Sequence, residues 1–126
     1  MKFNLNTIIL FVWDVDKQAA FYTGAFQFEV VEEIKAEWVL LRSGHSNIGL
    51  HKIGTSYHKK QTAGARPENN TKIVFEVDEE IIKVREWLIS KGALMKTPGS
   101  FTNANQLFCD GEDPEGNVFQ LVQKIN

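Results

Sequence analysis

The feature that most constrains this sequence is an internal repeat. Moving the sequence by 65 positions places residues 8–12 on residues 73–77, and at four of these five positions both side chains are large and apolar. The same shift places Tyr22 on Trp87 in the segments that follow. A repeat of this length indicates that one supersecondary unit occurs twice, which limits the fold to two similar modules.

The first copy predicts the element order β-α-β-β-β. Residues 7–13 are β-branched and aromatic, which is typical of a buried strand. Asp14 and Asp16 are candidate N-caps for a helix over residues 17–26, in which aromatic and small apolar residues recur at i and i+4. The remaining predicted strands of this copy cover residues 28–33, 37–42 and 47–53.

The second copy predicts the same order. Residues 72–77 form a predicted strand, and Asp78 is expected to cap a helix with an acidic first turn. Lys91 and Gly92 are expected to end this helix, because a cation and a C′ glycine suit a helix C-terminus. The remaining predicted strands of this copy cover residues 93–97, 106–109 and 117–124.

A distinct turn precedes the last predicted strand. Asp113, Pro114 and Gly116 have the composition of a type I turn, in which proline fixes the second φ angle and the aspartate accepts a local amide hydrogen bond. In the strand after it, Gln120 is a polar residue on an apolar face. Its amide is therefore expected either to bond to a neighbour or to line a cavity.

The segment between the two copies is different in character. Residues 54–70 are polar, locally basic and without hydrophobic periodicity, so a solvated connection is expected there. The chain of 126 residues is long enough for a substantial core. We therefore expect a single domain over residues 1–126, with module one at 1–54, a linker at 55–70 and module two at 71–126.

Composition excludes several classes of partner. The net charge of −2 gives no electrostatic reason to expect nucleic acid or an anionic membrane. No apolar run approaches the roughly 18–20 residues that a membrane span needs. The single cysteine, Cys109, excludes an internal disulfide and fits a reducing compartment, so a cytoplasmic location is expected. Nothing near Cys109 in sequence would activate a thiolate, so we expect a buried strand residue there.

Three segments carry a family resemblance: residues 9–14 leading into residues 21–22, residues 73–78, and residues 113–121. In these segments the chain resembles the glyoxalase/bleomycin-resistance/extradiol-dioxygenase group, the vicinal oxygen chelate superfamily. The resemblance implies an α+β fold in which two βαβββ modules form a curved mixed sheet around a cleft. Gln27 departs from the family, which often has glycine between the first helix and the second strand.

The resemblance also implies four metal-ligand positions. In the resembling enzymes, His, Gln and Glu residues on the first and fourth strands of each module hold one divalent metal. The matching positions here are Thr7, a position at or near Gly49, Lys72 and Gln120. Threonine is a poor ligand, glycine has no side chain and lysine adds a positive charge, which leaves Gln120 alone. We therefore expect no metal, no other cofactor and no catalytic residue.

His51 keeps an alternative open. It lies two residues after Gly49, so strand alternation puts both on the same face. With a two-residue shift in register, His51 and Gln120 become partial metal ligands. The resemblance then implies a metal-dependent lyase or isomerase similar to lactoylglutathione lyase.

Without a metal, the cleft itself is the candidate site. A mostly apolar, aromatic surface with a few polar groups is typical of a small-molecule site, and equally of a packed interface between modules. Lys72 and Glu76 lie two apart on one strand and either pair with each other or meet an anionic and a cationic ligand group, respectively. The predicted ligand-binding residues are Thr7, Phe11, Trp13, Trp38, His51, Lys72, Glu76 and Gln120.

The favoured functional hypothesis is a protein that binds a small, partly apolar molecule in the cleft rather than a metal enzyme. The resemblance to bleomycin-resistance proteins implies this function, and it also implies a homodimer, since those proteins commonly dimerise with pockets completed by the partner. A third hypothesis is a regulatory or assembly role through dimerisation alone.

Overall fold

The computed structural model describes residues 1–2, 4–54, 71–100 and 106–124. The chain divides into two compact units, Met1–Ala65 and Arg66–Asn126, and each unit contains one copy of the repeat. The predicted linker at residues 55–70 lies outside the described residues and stays a prediction. Within the described part of the chain, no helix is long and apolar enough to cross a membrane.

The first unit has the predicted order of elements. Its elements are β1 (Thr7–Val12), α1 (Val15–Ala25), β2 (Glu29–Ile34), β3 (Trp38–Ser43) and β4 (Ser46–Lys52). The strands form one mixed sheet in the order β1-β4-β3-β2. The β1 strand runs parallel to β4, and the other neighbouring strands are antiparallel.

The second unit repeats this plan with one additional short strand. Its elements are β5 (Ile73–Glu76), α2 (Ile81–Ser90), β6 (Leu94–Met95), β7 (Gly99–Ser100), β8 (Gln106–Glu112) and β9 (Val118–Lys124). The main strand order is β5-β9-β8-β6, and β7 pairs with β8. The β5 strand runs parallel to β9, as β1 does to β4. The predicted α+β class and the two βαβββ modules are thus confirmed.

The core of each unit lies between its helix and one face of its sheet. In the first unit α1 contacts β3 and β4, and it buries Phe21 and Tyr22 on the same side as Leu41 and Leu50. Burial of these apolar surfaces is the main force that holds each layer to its partner. The corresponding buried residues of the second unit are Ile81, Leu88, Cys109, Phe119 and Leu121.

The predicted alignment of Tyr22 with Trp87 is wrong for the helices. Trp87 is 42% exposed and has the Lys91 ammonium 4.6 Å from its ring centroid, whereas the next residue, Leu88, is buried. Tyr22 is also buried, so its structural equivalent is Leu88. The second copy has one additional residue between its first strand and α2, so the helices of the two copies are offset by one residue from the alignment of the strands. Because one residue turns a helix by about 100°, that shift decides which side chain enters the core.

The two helices begin in different ways. Asp14 caps α1 as predicted, since its Oδ1 accepts a hydrogen bond from the Lys17 backbone N–H at 3.0 Å. The prediction that Asp78 caps α2 is wrong, because this helix begins only at Ile81 and its N-cap residue makes no side-chain bond. Instead, the Ile81 N–H donates to Oε1 of Gln123 on β9 at 2.7 Å. A strand residue therefore binds an N–H group that would otherwise lack a partner at the helix start.

The backbone after each helix adopts a left-handed conformation. Lys91 and Gly92 end α2 as predicted, and Gly92 has a φ of 104°, which glycine adopts without steric cost. After α1, Gln27 has a φ of 60°. Position 27, where the family often has glycine, therefore has a backbone conformation that favours glycine.

The turn before β9 is confirmed and is internally bonded. The Gly116 N–H donates to the Asp113 carbonyl oxygen at 2.9 Å, which closes the turn. Asp113 is buried, and its Oδ1 accepts hydrogen bonds from the N–H groups of Glu115 and Asn117, both at 2.9 Å. A single buried carboxylate therefore sets the conformation of the chain as it enters β9.

Cys109 on β8 is buried, as predicted. Its thiol donates to the carbonyl oxygen of Lys96 at 3.2 Å. Burial raises the pKa of the Cys109 thiol above its usual value, so the reactive thiolate form is disfavoured. This cysteine is a packed core residue.

Candidate functional site

Each sheet has an open face on the side opposite its helix. On the first sheet this face carries Thr7, Ile9 and Phe11 of β1, because alternate residues of a strand point to the same side. Ile9 is 47% exposed and Phe11 is 61% exposed. The open face of the second sheet carries Lys72, just before β5, and Val74, which is 53% exposed. Exposed apolar side chains on an ordered sheet mark both faces as candidate contact surfaces.

Three aromatic rings form a row across the first sheet, which we call the ring row: Phe11, His51 and Trp38. In the strand register, Phe11 on β1 lies opposite His51 on β4, which in turn lies opposite Trp38 on β3. The ring centroids of Phe11 and His51 are 5.4 Å apart, and those of Trp38 and His51 are 6.0 Å apart. The fold thus brings three of the predicted ligand-binding residues together on one face.

Beside the ring row, the Trp38 indole covers Gly49. A Cβ atom added at position 49 would lie 2.7 Å from Cζ3 of Trp38 and would also collide with Cη2. The indole Nε1–H donates to Oε1 of Glu32 at 2.8 Å, which holds the ring in this orientation. With the indole in this position, there is no space for a side chain at position 49.

A hydrogen-bonded polar group lies on the open face of the second sheet; we call Lys72, Asp110 and Gln120 the polar triad. Nζ of Lys72 donates to Oδ2 of Asp110 at 3.0 Å, and Nε2 of Gln120 donates to Oδ1 at 2.9 Å. Asp110 on β8 lies directly opposite Gln120 on β9 in the strand register. One carboxylate therefore joins two of the predicted site residues, and Gln120 is bonded to a neighbour.

The polar triad has opposite charges that offset each other. Burial alone would raise the pKa of Asp110, but the hydrogen bonds from Gln120 and Lys72, together with the Lys72 charge, hold the pKa of this carboxyl below its usual value. Asp110 is therefore ionised at neutral pH, and its negative charge balances the Lys72 ammonium. The triad is a neutral hydrogen-bonding surface rather than a cationic one.

Asp110 was not among the predicted site residues, because the predicted strand ended at residue 109. The observed strand β8 continues to Glu112, so Asp110 lies within the sheet. Strand alternation was the available signal. Cys109 was expected to be buried, and the next residue of a strand points to the opposite face.

The remaining predicted site residues lie beside these two groups or beyond the strand ends. Thr7 begins β1 and lies opposite Asn47. Trp13 follows the last residue of β1. Glu76 ends β5, and the open depression at this point is lined by Glu76, Val77, Asp78 and Gln123.

Residues 4–121 match one protein family, described as the Glyoxalase/Bleomycin resistance protein/Dioxygenase superfamily. The chain belongs to this superfamily. A search of curated proteins gave no significant match.

Solved structures of superfamily proteins share the fold over nearly their whole length. A glyoxalase/bleomycin resistance protein/dioxygenase family enzyme from Burkholderia phytofirmans PsJN is 22% identical, with a TM-score of 0.77 and coverage of 98% of this chain and 100% of that one. The fosfomycin resistance protein FosX from Listeria monocytogenes is 18% identical, with a TM-score of 0.77 and coverage of 98% and 94%. Lactoylglutathione lyase from Agrobacterium tumefaciens is 16% identical, with a TM-score of 0.71 and coverage of 98% and 95%. At these identities the similarity establishes the fold and not an activity.

The residues of this superfamily member do not fit the metal site that the resemblance implied. The Trp38 indole fills the space that a side chain at position 49 would need. The Lys72 position holds an ammonium group, which has no lone pair to give to a metal and is bonded to Asp110 instead. Among the described residues, no three His, Cys, Asp or Glu side chains come together in a metal-binding arrangement. The groups at the four implied positions therefore do not form a ligand set for a divalent metal.

Proposed function

We propose that this superfamily member binds a small, partly apolar organic molecule through the open faces of its two modules, without a catalytic metal. The family resemblance implies that these faces contribute to one cleft. The observation that carries the proposal is the Trp38 indole over Gly49, which puts an aromatic surface at a position where a metal ligand was implied. An aromatic surface in that place favours the binding of organic groups over Lewis-acid chemistry.

The ring row supports the apolar half of the proposal. Phe11 exposes 61% of its surface although it lies within an ordered strand. A ligand that covers Phe11 and its neighbour Ile9 removes apolar surface from water, and each Å² of it contributes about 25 cal/mol. The Trp38 ring, already held by Glu32, adds a surface that loses little conformational freedom on binding.

The polar triad supports the polar half. The Lys72 side chain remains 43% exposed and keeps N–H donors beyond the one that binds Asp110. Because Nε2 of Gln120 faces Asp110, Oε1 of the same amide is directed away from that carboxylate and can accept a hydrogen bond from a ligand. Since the triad carries no net charge, it favours uncharged or zwitterionic polar groups over strongly anionic ones.

A ligand screen tests the proposal. We expect some members of a library of small aromatic and amphoteric compounds, including bleomycin-type drugs, to give saturable shifts in the NMR spectrum of the ¹⁵N-labelled protein. For such a ligand, Lys72→Met should weaken binding at least about fivefold, the order expected for the loss of one hydrogen bond. Lys83→Met is the matched control, because Lys83 on α2 pairs with Glu79, an exposed residue before that helix. A library without any saturable ligand would contradict the proposal.

The alternative function, a metal-dependent lyase or isomerase that uses His51 and Gln120, makes the opposite prediction. It requires the protein, purified without chelators, to retain about one equivalent of metal and to gain thermal stability from added Ni²⁺ or Zn²⁺. Our proposal predicts neither effect. Metal retention that is lost in both His51→Gln and Gln120→Leu would favour the alternative.

We also propose that the protein is a homodimer, as the resemblance implies. Edge strand β2 supports this proposal because it exposes Val30 at 49%, Val31 at 42% and Ile34 at 62% of their surfaces. Sedimentation analysis should give the mass of two chains, and Ile34→Lys should weaken the association. A monomer at every concentration would contradict the proposal.

A further inference from the structure

We propose that the ring row binds a planar aromatic group carrying an N–H or O–H donor, and that Nε2 of His51 accepts that hydrogen bond. The inference rests on the proposed function and names the chemical class of the ligand. It assigns His51 a role in binding, as a hydrogen-bond acceptor, in place of the role in metal coordination that its position suggested.

The tautomer of His51 follows from its backbone contact. Nδ1 lies 2.7 Å from the carbonyl oxygen of Lys52. A carbonyl oxygen can only accept, so Nδ1 carries the proton, and Nε2 of the neutral ring holds the lone pair. Within the described parts of the chain, no group makes a hydrogen bond to Nε2 that would compete with a ligand.

The neighbouring rings do not cover the faces of the His51 imidazole. The Phe11 ring is tilted by 55° against the His51 ring, and the Trp38 ring by 67°, so neither ring stacks flat on the imidazole. The row crosses β1, β4 and β3 in one line of paired residues, which gives it a fixed width on a rigid sheet. A planar aromatic group suits this surface because offset-stacked and edge-to-face contacts both stabilise aromatic pairs.

The donor requirement comes from desolvation. A ligand that covers the ring row takes Nε2 of His51 out of water, and a buried acceptor without a partner carries a free-energy cost. A ligand with an N–H or O–H group at that point replaces the lost water, whereas an otherwise identical ligand without the donor does not. The ring row should therefore distinguish two such ligands even though both stack equally well.

A matched pair of probes tests this inference: 2-naphthol, which has a donor, and 2-methoxynaphthalene, which has none. We expect 2-naphthol to bind the wild-type protein about fivefold to tenfold more tightly in NMR titrations near pH 8, where imidazoles are generally neutral. The Nε2 resonance of His51 should shift with 2-naphthol only. His51→Phe should keep the binding of both probes and remove the difference between them.

Two further variants locate the effect. Phe11→Ala should lower the affinity for both probes by a similar factor, because it removes a stacking surface while leaving the acceptor Nε2 in place. Its side chain is mostly exposed, so the fold should tolerate the change. His45→Phe is the control for a general effect of histidine replacement, since His45 lies in the turn between β3 and β4.

The possible outcomes separate this inference from the proposed function. Equal affinity for the two probes, or a preference that survives in His51→Phe, overturns the role of His51. Probe-induced shifts confined to the polar triad overturn the inference and leave the proposed function standing. If neither these probes nor any library member binds, both are overturned.

Discussion

The two modules share one scaffold but present different chemistry on their open faces. Gly49 of β4 and Gln120 of β9 occupy equivalent positions. Gly49 lies opposite Ile9, and Gln120 lies opposite Val74, the residue that the repeat aligns with Ile9. Across the sheet, Gly49 faces Leu40 and Gln120 faces Asp110. Module one therefore has an apolar pair with an indole above it where module two has a hydrogen-bonded polar pair.

The helix-facing sides of the sheets differ much less. Leu50 on β4 and Leu121 on β9 follow these matched positions, and both are fully buried. The contrast shows which positions of the repeat hold the fold together and which are free to change. A helix-facing residue must pack against its module's helix, whereas an open-face residue is constrained mainly by what it contacts.

The matched core leucines give the largest expected effect. Leu50→Ala and Leu121→Ala should each lower the free energy of unfolding by about 2–5 kcal/mol, because each leaves a cavity in a closely packed layer. Chemical denaturation measures both values. If one of the two variants lost less than about 1 kcal/mol, the view that the modules depend equally on their helix-facing layers would be wrong.

Position 49 gives the next largest effect. Gly49→Ala should lower the free energy of unfolding by about 1–3 kcal/mol, because the new Cβ collides with the Trp38 ring. The same substitution should cost clearly less in a Trp38→Ala background. Gly99→Ala in module two is the control, since a Cβ added there has no atom within 4 Å among the described residues beyond its chain neighbours. An equal cost with and without Trp38 would show that the indole is not what closes this position.

Gln27 and Gly92, which follow the two helices, give a smaller expected effect on the free energy of unfolding. Gln27→Gly should raise the free energy of unfolding by up to about 1 kcal/mol, because Gln27 has a φ of 60°. Gly92→Gln should lower it by a similar amount or more at the matching position of module two. Gln27→Ala keeps a Cβ atom in the left-handed region and should give no such gain. Thermal unfolding compares the three variants.

The polar triad should make the stability of module two depend on pH through Asp110, and the described part of module one has no equivalent group on its open face. The folded-state pKa of Asp110 is lowered, so its stabilising contribution is fully present above the unfolded value of about 3.9 and is lost as the pH falls through the folded value. Lys72→Met removes one cause of the lowering and should raise the pKa of Asp110, as measured by carboxyl ¹³C NMR. Thr7→Met, at the matching position in module one, should leave this pKa unchanged. An unshifted Asp110 in Lys72→Met would rule out Lys72 as a cause.

Much of the fold could be predicted from local sequence signals. The repeat predicted the order of elements. The Asp113 turn and the Asp14 cap could be predicted from residue types because their hydrogen bonds join residues that are close in sequence. The membership of Phe11 and His51 in one open face followed from strand alternation together with the family resemblance, which implied that Thr7 and Gly49 lie on the same face.

The features that could not be predicted depend on contacts between strands. Asp110 meets Gln120 and Lys72 only because β8 extends beyond its predicted end and pairs with β9. The Trp38 ring covers Gly49 because a residue on the adjacent strand has no side chain. No local pattern indicates where a neighbouring strand leaves a space, so the residues of the open faces were predicted more accurately than the contacts among them.

The cap that Gln123 provides to α2 has a consequence for the order of folding. Asp14 precedes α1 directly, so the first helix can be capped as soon as its own first turn exists. The Ile81 N–H bonds to Gln123, which lies 42 positions later in the chain and is synthesised after it. During synthesis, α1 can therefore reach its native form while module two is still incomplete. The second helix acquires its full set of hydrogen bonds only when β9 has joined the sheet, which makes the completion of module two a late and cooperative step.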